Sequence, residues 1–309
     1  MTSCETPQLR LAVGWSLVFG LGGYLAAGEI PYPRAELLIQ PAALAQGPGL
    51  RHFVVLDARP REQYDRGRIP GAVWVDAAAW AKAFGDGADT AGWSARIGSL
   101  GIASDAKVVV YDDASFKDAA RVWWILKYWG LEDVRLLNGN WTGWKGAGLP
   151  IETDAPKPPP PTKFVAAARR PRLATKDRLL EALKDNSLQI VDSRSHAEFC
   201  GIDQQKNQQK NKRAGAIPGA KHLEWTDLID KPTQRFKTAA ELRLLFQAAG
   251  IDLQRGTATY CQSGGRASVM AFAMEPMGAA NVANYYASWA EWGNADDTPV
   301  ELPQPPKKL

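Results

Sequence analysis

Cys261 stands where a β-branched run gives way to a helix-length segment. Thr257 to Cys261 (TATYC) reads as a strand reaching its end, Gln262 to Arg266 (QSGGR) as a loop, and Ala267 to Gly278 as a helix stopped by glycine. A free cysteine is commonly a small buried hydrophobe. Polar and glycine residues directly after a strand, however, make poor core and good loop. Gly264 and Gly265 allow the backbone to curl so that successive amides point inward, and together with the helix start these amides form an anion-binding concavity. A thiol at its centre is expected to be a stabilised thiolate, and hence a nucleophile near neutral pH, with Arg266 adding positive charge beside it. Cys261 is therefore the candidate nucleophile, and Gln262, Ser263, Gly264, Gly265 and Arg266 the candidate anion-binding loop.

Competing chemistries find little material. Three cysteines (Cys4, Cys200, Cys261) cannot build a disulfide scaffold or a four-cysteine zinc site, and His52, His196 and His222 show no metal-ligand spacing. No phosphate-loop or dinucleotide fingerprint occurs, so no metal and no cofactor is expected. The formal net charge of +4 is too small and dispersed to suggest nucleic acid, though it permits anionic ligands. With 45% hydrophobic and 23% charged residues in 309, the chain is globular rather than disordered.

The elements that must position Cys261 occur twice. VVLDAR (54–59), GRIPGAVWVD (67–76), VVVYD (108–112) and GNWTGW (139–144) are answered by QIVDSR (189–194), GAIPGAKHLEW (215–225), TATYC (257–261) and ASWAEW (287–292). Ile69 and Ile217, Gly130 and Gly278, Trp141 and Trp289, and Trp144 and Trp292 all lie 148 positions apart. Asp57 and Asp192 are only 135 apart, because the second copy carries a polar insertion at 201–213 with Lys206, Lys210, Lys212 and Arg213. Its composition suggests a solvated, mobile excursion.

Short β-branched runs alternate with helical patterns in each copy, which predicts an α/β fold of two tandem domains, each a largely parallel sheet flanked by helices. The expected boundaries are 35–154 and 164–303, joined by a proline-rich linker at 155–163 and followed by a tail at 304–309. Pro276 is expected to loosen or kink the end of its helix. The duplicated tryptophan pairs favour packing roles.

Residues 11–28 form an uncharged apolar run after Arg10, with small residues at 26–28 suited to cleavage. This predicts a signal peptide or anchor at 1–28 and an exported protein. A membrane association is expected only if the leader stays uncleaved, and a cytoplasmic location is left open.

The paired D-A-R and D-S-R segments, the paired IPGA segments, the C-x-x-G-x-R loop and the S-W-x-E-W at 288–292 together resemble rhodanese domains. The chain from about 35 to 302 resembles the tandem-domain sulfurtransferases of the thiosulfate and 3-mercaptopyruvate type. The resemblance implies that Cys261 takes sulfur from a small anionic donor as a persulfide and hands it to a thiophilic acceptor such as cyanide or a thiol, or to a protein acceptor. It further implies that Arg194 reaches the substrate anion, against the alternative of an ion pair with Asp192. Asp112 aligns with Cys261, so the first domain (35–154) should be catalytically silent. Asp76, near the cysteine in mercaptopyruvate enzymes, lacks its companion histidine here and reads as a surface or interface acid. The positive charge of Arg266 favours thiosulfate. Phosphatases of a related fold carry C-x5-R, one residue longer than the spacing from Cys261 to Arg266, which disfavours phosphatase chemistry.

Overall fold

The computed structural model describes residues 31–46, 49–202 and 211–303. The leader expected at 1–28, the tail at 304–309 and most of the 201–213 insertion lie outside the described residues. Eleven strands are described: β1 (Leu38–Ile39), β2 (Val54–Asp57), β3 (Val73–Trp74), β4 (Lys107–Tyr111), β5 (Asp133–Leu137), β6 (Gln189–Asp192), β7 (Lys221–His222), β8 (Ile229–Asp230), β9 (Arg235–Phe236), β10 (Thr257–Tyr260) and β11 (Val282–Asn284). They form two parallel sheets, in the orders β1-β5-β4-β2-β3 and β11-β10-β6-β7, and one antiparallel hairpin, β8-β9. The two α/β domains are those expected from the repeat.

The continuous apolar character of β4 suits a strand covered on both faces, and its last four residues are buried. β10 has the same inner place in the second sheet and is buried throughout. The registers match as well: Asp57 pairs with Tyr111, and Asp192 with Tyr260. Asp112 and Cys261, the next residue in each copy, therefore occupy the same position just beyond the carboxyl end of an inner strand.

The helices Lys117–Tyr128 and Gly265–Met274 follow those two positions and pack on each other across the domain boundary. Both are buried on nearly all sides, the pattern of a helix inside a core. Aromatic pairs seal the boundary. The ring of Trp123 meets Phe272 edge-on with centroids 4.9 Å apart, Phe116 stacks on Phe236 at 4.4 Å, and Trp124 stacks on Tyr286 at 5.0 Å. One hydrophobic cluster consequently runs through both domains. The second helix ends at Met274, before Pro276, whose missing amide stops it.

The connection between the domains stays packed on the first domain beyond the prolines. Beyond the prolines, Thr162 N–H donates to Gly98, Ala167 N–H to Trp129 and Arg169 N–H to Tyr128, while Phe164 is buried in the shared core. The chain thus stays attached to the first domain through Arg169, and the elements of the second begin with a 3-10 turn at Arg170–Arg172. No helix among the described residues is long and apolar enough to cross a membrane.

Candidate active site

A duplicated polar frame underlies each inner strand end. In the second domain Arg194 is fully buried and grips Asp192 through Nε (3.0 Å to each oxygen) and Nη2 (2.6 Å). Its Nη2 also donates to the Gly215 carbonyl at 2.6 Å, and its guanidinium lies 4.4 Å from the Trp289 ring centroid. Tyr260 Oη accepts from the Ile217 amide at 3.1 Å. The first domain repeats this frame: Arg59 grips Asp57 and donates to Gly67, its guanidinium lies 4.1 Å from the Trp141 centroid, and Tyr111 Oη donates to Asp57. The D-x-R, IPGA and tryptophan segments are thus parts of one network. Arg194 forms the ion pair with Asp192 that stood as the alternative to a substrate contact. Its Nε and Nη2 are taken up by Asp192 and Gly215, as those of Arg59 are by Asp57 and Gly67 in the half that has no thiol, while Nη1 has no hydrogen-bond partner among the described residues. Burial disfavours the Arg194 charge, but Asp192 and its neighbours hold the pKa above its ordinary value.

The loop after β10 is anchored by Ser288. Ser288 Oγ accepts from the amides of Cys261 (3.1 Å) and Gly264 (3.2 Å) and donates to the Tyr285 carbonyl (2.7 Å). The Trp289 amide donates to the Cys261 carbonyl, and the Gly264 carbonyl accepts from Ser268 and Asn284. Gly264 has φ +81°, and a Cβ there would fall 2.7 Å from the Tyr286 ring, so glycine is required on both counts. The amides of Gln262, Ser263, Gly265, Arg266 and Ala267 have no protein acceptor among the described residues. They bracket the buried Cys261 at the start of the helix, a donor set suited to an anion.

The first domain shows what such a loop can hold. Asp112 is buried, and its carboxylate accepts from the amides of Ala114 (3.0 Å), Phe116 (3.1 Å), Asp118 (3.0 Å) and Ala119 (3.0 Å). Asn140, the counterpart of Ser288, accepts from the Asp112 amide at 3.1 Å. The Asp112 side chain is therefore itself the anion in the loop of the first domain. Burial pushes the Asp112 carboxyl up, to about 6, against the pull of these amides.

Arg266 and Gln262 are less free than expected. Arg266 makes two parallel hydrogen bonds to Glu198, at 2.6 and 2.9 Å, and Glu198 also closes a capping box with Ser195. Burial opposes ionisation of Glu198, but Arg266 and Ser195 bring its carboxyl down to about 2. The charge of Arg266 is thus largely matched, which removes it as an argument for a dianionic donor. The Gln262 side chain exchanges hydrogen bonds with Asn211, at 2.8 and 3.2 Å. Asn211 is buried, and Arg213 donates to Trp292 and Thr298, so the end of the insertion is packed structure beside the loop rather than a solvated excursion.

His196 Nε2 lies 3.5 Å from Cys200 Sγ, whereas His222 Nε2 sits 2.9 Å from the Arg194 carbonyl. Cys200 and Cys261 are both free thiols, and burial pushes the Cys200 thiol up. Asp76 caps the Ala77–Phe84 helix by accepting from the Ala79 amide. No group of three or more potential metal ligands occurs among the described residues.

Four site residues escaped the reading of the sequence. Ser288 could have been found in the duplicated S-W-x-E-W segment, and Glu198 in the S-x-x-E capping pattern that follows Arg194. Asn211 gave no local signal. Nor did Arg121 of the first domain, whose Nη1 donates to the Ser263 carbonyl at 2.9 Å and to Tyr286 Oη at 2.8 Å.

The fold and site describe a duplicated α/β protein with a single thiol in an amide-lined loop. The rhodanese-like domain model matches residues 40–147 and 175–295, and the chain belongs to that family. It is 34% identical to the thiosulfate sulfurtransferase of Corynebacterium glutamicum over 299 residues, covering 90% of this chain and 96% of that one. It is 35% identical over 249 residues to the sulfur carrier protein TtuD of Thermus thermophilus, covering 77% and 86%. Among solved structures, the 3-mercaptopyruvate sulfotransferase SseA from Escherichia coli superposes with a TM-score of 0.70 at 27% identity, covering 82% of this chain and 99% of that one.

Proposed function

We propose that the protein moves sulfane sulfur from thiosulfate to a thiophilic acceptor through a persulfide on Cys261. One observation carries this reading: a loop of the same kind holds the Asp112 carboxylate on four amides in the first domain, while the second domain has a thiol at that position and unpartnered amides around it. The Cys261 thiolate attacks the outer sulfur of thiosulfate. A Cys261–sulfur bond forms, the sulfur–sulfur bond of the donor breaks, and sulfite leaves with the electron pair. The loop amides stabilise the anionic persulfide by hydrogen bonds set before the reaction begins. An acceptor such as cyanide then attacks the outer sulfur and forms thiocyanate, and the thiolate returns, as in double-displacement catalysis.

The resemblance over 90% of the chain to a thiosulfate sulfurtransferase supports thiosulfate as donor. The likeness to TtuD supports a second reading, in which the same persulfide is delivered to a protein partner. With a leader expected at 1–28, export is part of the proposal, with a periplasmic or other extracytoplasmic site of action.

Intact-mass measurement after incubation with thiosulfate tests the chemistry. Wild type should gain one sulfur and Cys261→Ala none; an equal adduct on both overturns the proposal. 3-Mercaptopyruvate supplied in parallel distinguishes the donors, and turnover with cyanide separates an enzyme from a dedicated carrier.

A further inference from the structure

Arg121 belongs to the Lys117–Tyr128 helix of the silent domain, yet its guanidinium enters the Cys261 loop. It is 9% exposed, and no carboxylate lies within ion-pair distance of it among the described residues. The other deeply buried arginines near the two strand ends, Arg59 and Arg194, each carry an aspartate partner. A buried arginine without an acid is costly unless some other negative group answers it. The acceptors that Arg121 has are the Ser263 carbonyl and Tyr286 Oη, and Nε and Nη2 have no protein acceptor among the described residues. Space for it comes from Gly265, where a Cβ would overlap Nη2.

The two anchors of the Ser263–Gly264 peptide lie on opposite sides of it. Its carbonyl is held by Arg121 and its N–H by Ser288 Oγ, the same oxygen that takes the Cys261 amide. Gly264, at φ +81°, offers little steric resistance to rotation of that peptide. A flipped peptide would turn the Ser263 carbonyl toward Ser288 Oγ and break the bond by which Ser288 ties Gly264 to the Cys261 amide. The titratable groups beside the Cys261 loop are Arg266, already paired with Glu198, and Tyr286, whose Oη accepts from Arg121.

We propose that Arg121 is a positioning residue supplied by the first domain, which locks the Ser263–Gly264 peptide in the orientation that lets Ser288 hold the Cys261 loop and brings an acid-free positive charge to that loop. This rests on Cys261 as the sulfur-accepting thiol. It assigns the first domain a direct part in the chemistry of the second and makes Gly265 the residue that admits it.

The test uses the full chain with Arg121→Met, Arg121→Lys and Gly265→Ala. Two quantities are read for each: the rate of sulfur loading from thiosulfate by rapid quench and intact mass, and the pH profile of Cys261 alkylation by iodoacetamide, followed on its own peptide. Arg121→Met should slow loading at least about tenfold and move the alkylation midpoint up by about one unit, the scale expected when a nearby charge and preorganised donors are lost. Arg121→Lys should recover most of the shift. Gly265→Ala should behave like Arg121→Met, because the new methyl displaces the flexible end of the arginine while leaving the loop backbone able to fold. Wild-type loading and an unmoved midpoint in Arg121→Met would overturn the inference, as would a Gly265→Ala protein with both wild-type values. If Arg121→Met does not fold, Arg121→Lys and Gly265→Ala decide. If wild type accepts no sulfur, the sulfurtransferase reading fails, and the alkylation profiles still decide the role of Arg121.

Discussion

Glu198 clasps Arg266 with both carboxylate oxygens, at 2.6 and 2.9 Å, and so ties the turn after β6 to the first turn of the helix that follows Cys261. Arg266 is therefore as much a strut as a charge.

The carboxyl of Glu198, brought down to about 2 from an ordinary 4.5, sets a pH window. A depressed carboxylate stabilises the fold above its unfolded pKa, and that contribution is lost as pH falls through 4.5 toward 2. Glu198→Gln should be less stable than wild type at pH 7 by about 1 to 2 kcal/mol, a partly exposed pair being worth less than a buried one. Urea midpoints measured from pH 7 to pH 3 should show the gap closing in acid. A constant gap would contradict the assignment.

Arg194→Met should act on folding and not on donor affinity. Leaving Asp192 buried and unpaired costs about 3 to 5 kcal/mol, and Arg59→Met should cost a similar amount through Asp57. Chemical denaturation and steady-state kinetics on folded material make the comparison. A raised KM for thiosulfate in Arg194→Met with unaltered stability would restore Arg194 to the substrate.

Asp112 gives a slope of opposite sign. Its folded carboxyl, near 6, binds a proton more readily than the ordinary carboxyl near 3.8, so the fold gains from protonation. That contribution is complete below about pH 4 and is lost as pH rises through 6. Asp112→Asn should lack this slope, although its amide nitrogen cannot accept from the loop N–H groups and the variant should be less stable throughout. Identical slopes for the two proteins between pH 4 and pH 6.5 would sink this prediction.

The pairing of Gln262 with Asn211 is open to a double-mutant cycle. Gln262→Ala and Asn211→Ala should each cost about 1 kcal/mol, and the double variant should cost about 0.5 kcal/mol or more short of their sum. Strict additivity in denaturation midpoints would mean that the contact does not form in solution.

Much of this site was legible because its frame is duplicated. Asp57, Arg59, Ile69 and Trp141 recur as Asp192, Arg194, Ile217 and Trp289, and the residue following β10 in such a frame had to face the anion-binding turn. The same duplication held a signal against Arg194 as a substrate ligand. An arginine present in both halves, one of them without a thiol, serves what the halves share, and they share the fold. Arg266 with Glu198, Ser263 with Arg121 and Gln262 with Asn211 are 68, 142 and 51 residues apart. Neither local spacing nor hydrophobic period carries such pairings. The leader at 1–28 was read from composition alone and has no counterpart among the described residues.

The stacking of Trp124 on Tyr286 and the edge contact of Trp123 with Phe272 lie inside one hydrophobic cluster that the halves share. Cutting the chain after the prolines would not release a self-sufficient thiol domain. It would leave Tyr286 and Phe272 bare and withdraw Arg121 at the same stroke. Heat should therefore melt the two copies together, in one calorimetric transition whose enthalpy belongs to the whole chain. What began as a repeat in the sequence behaves, in thermodynamic terms, as an indivisible unit.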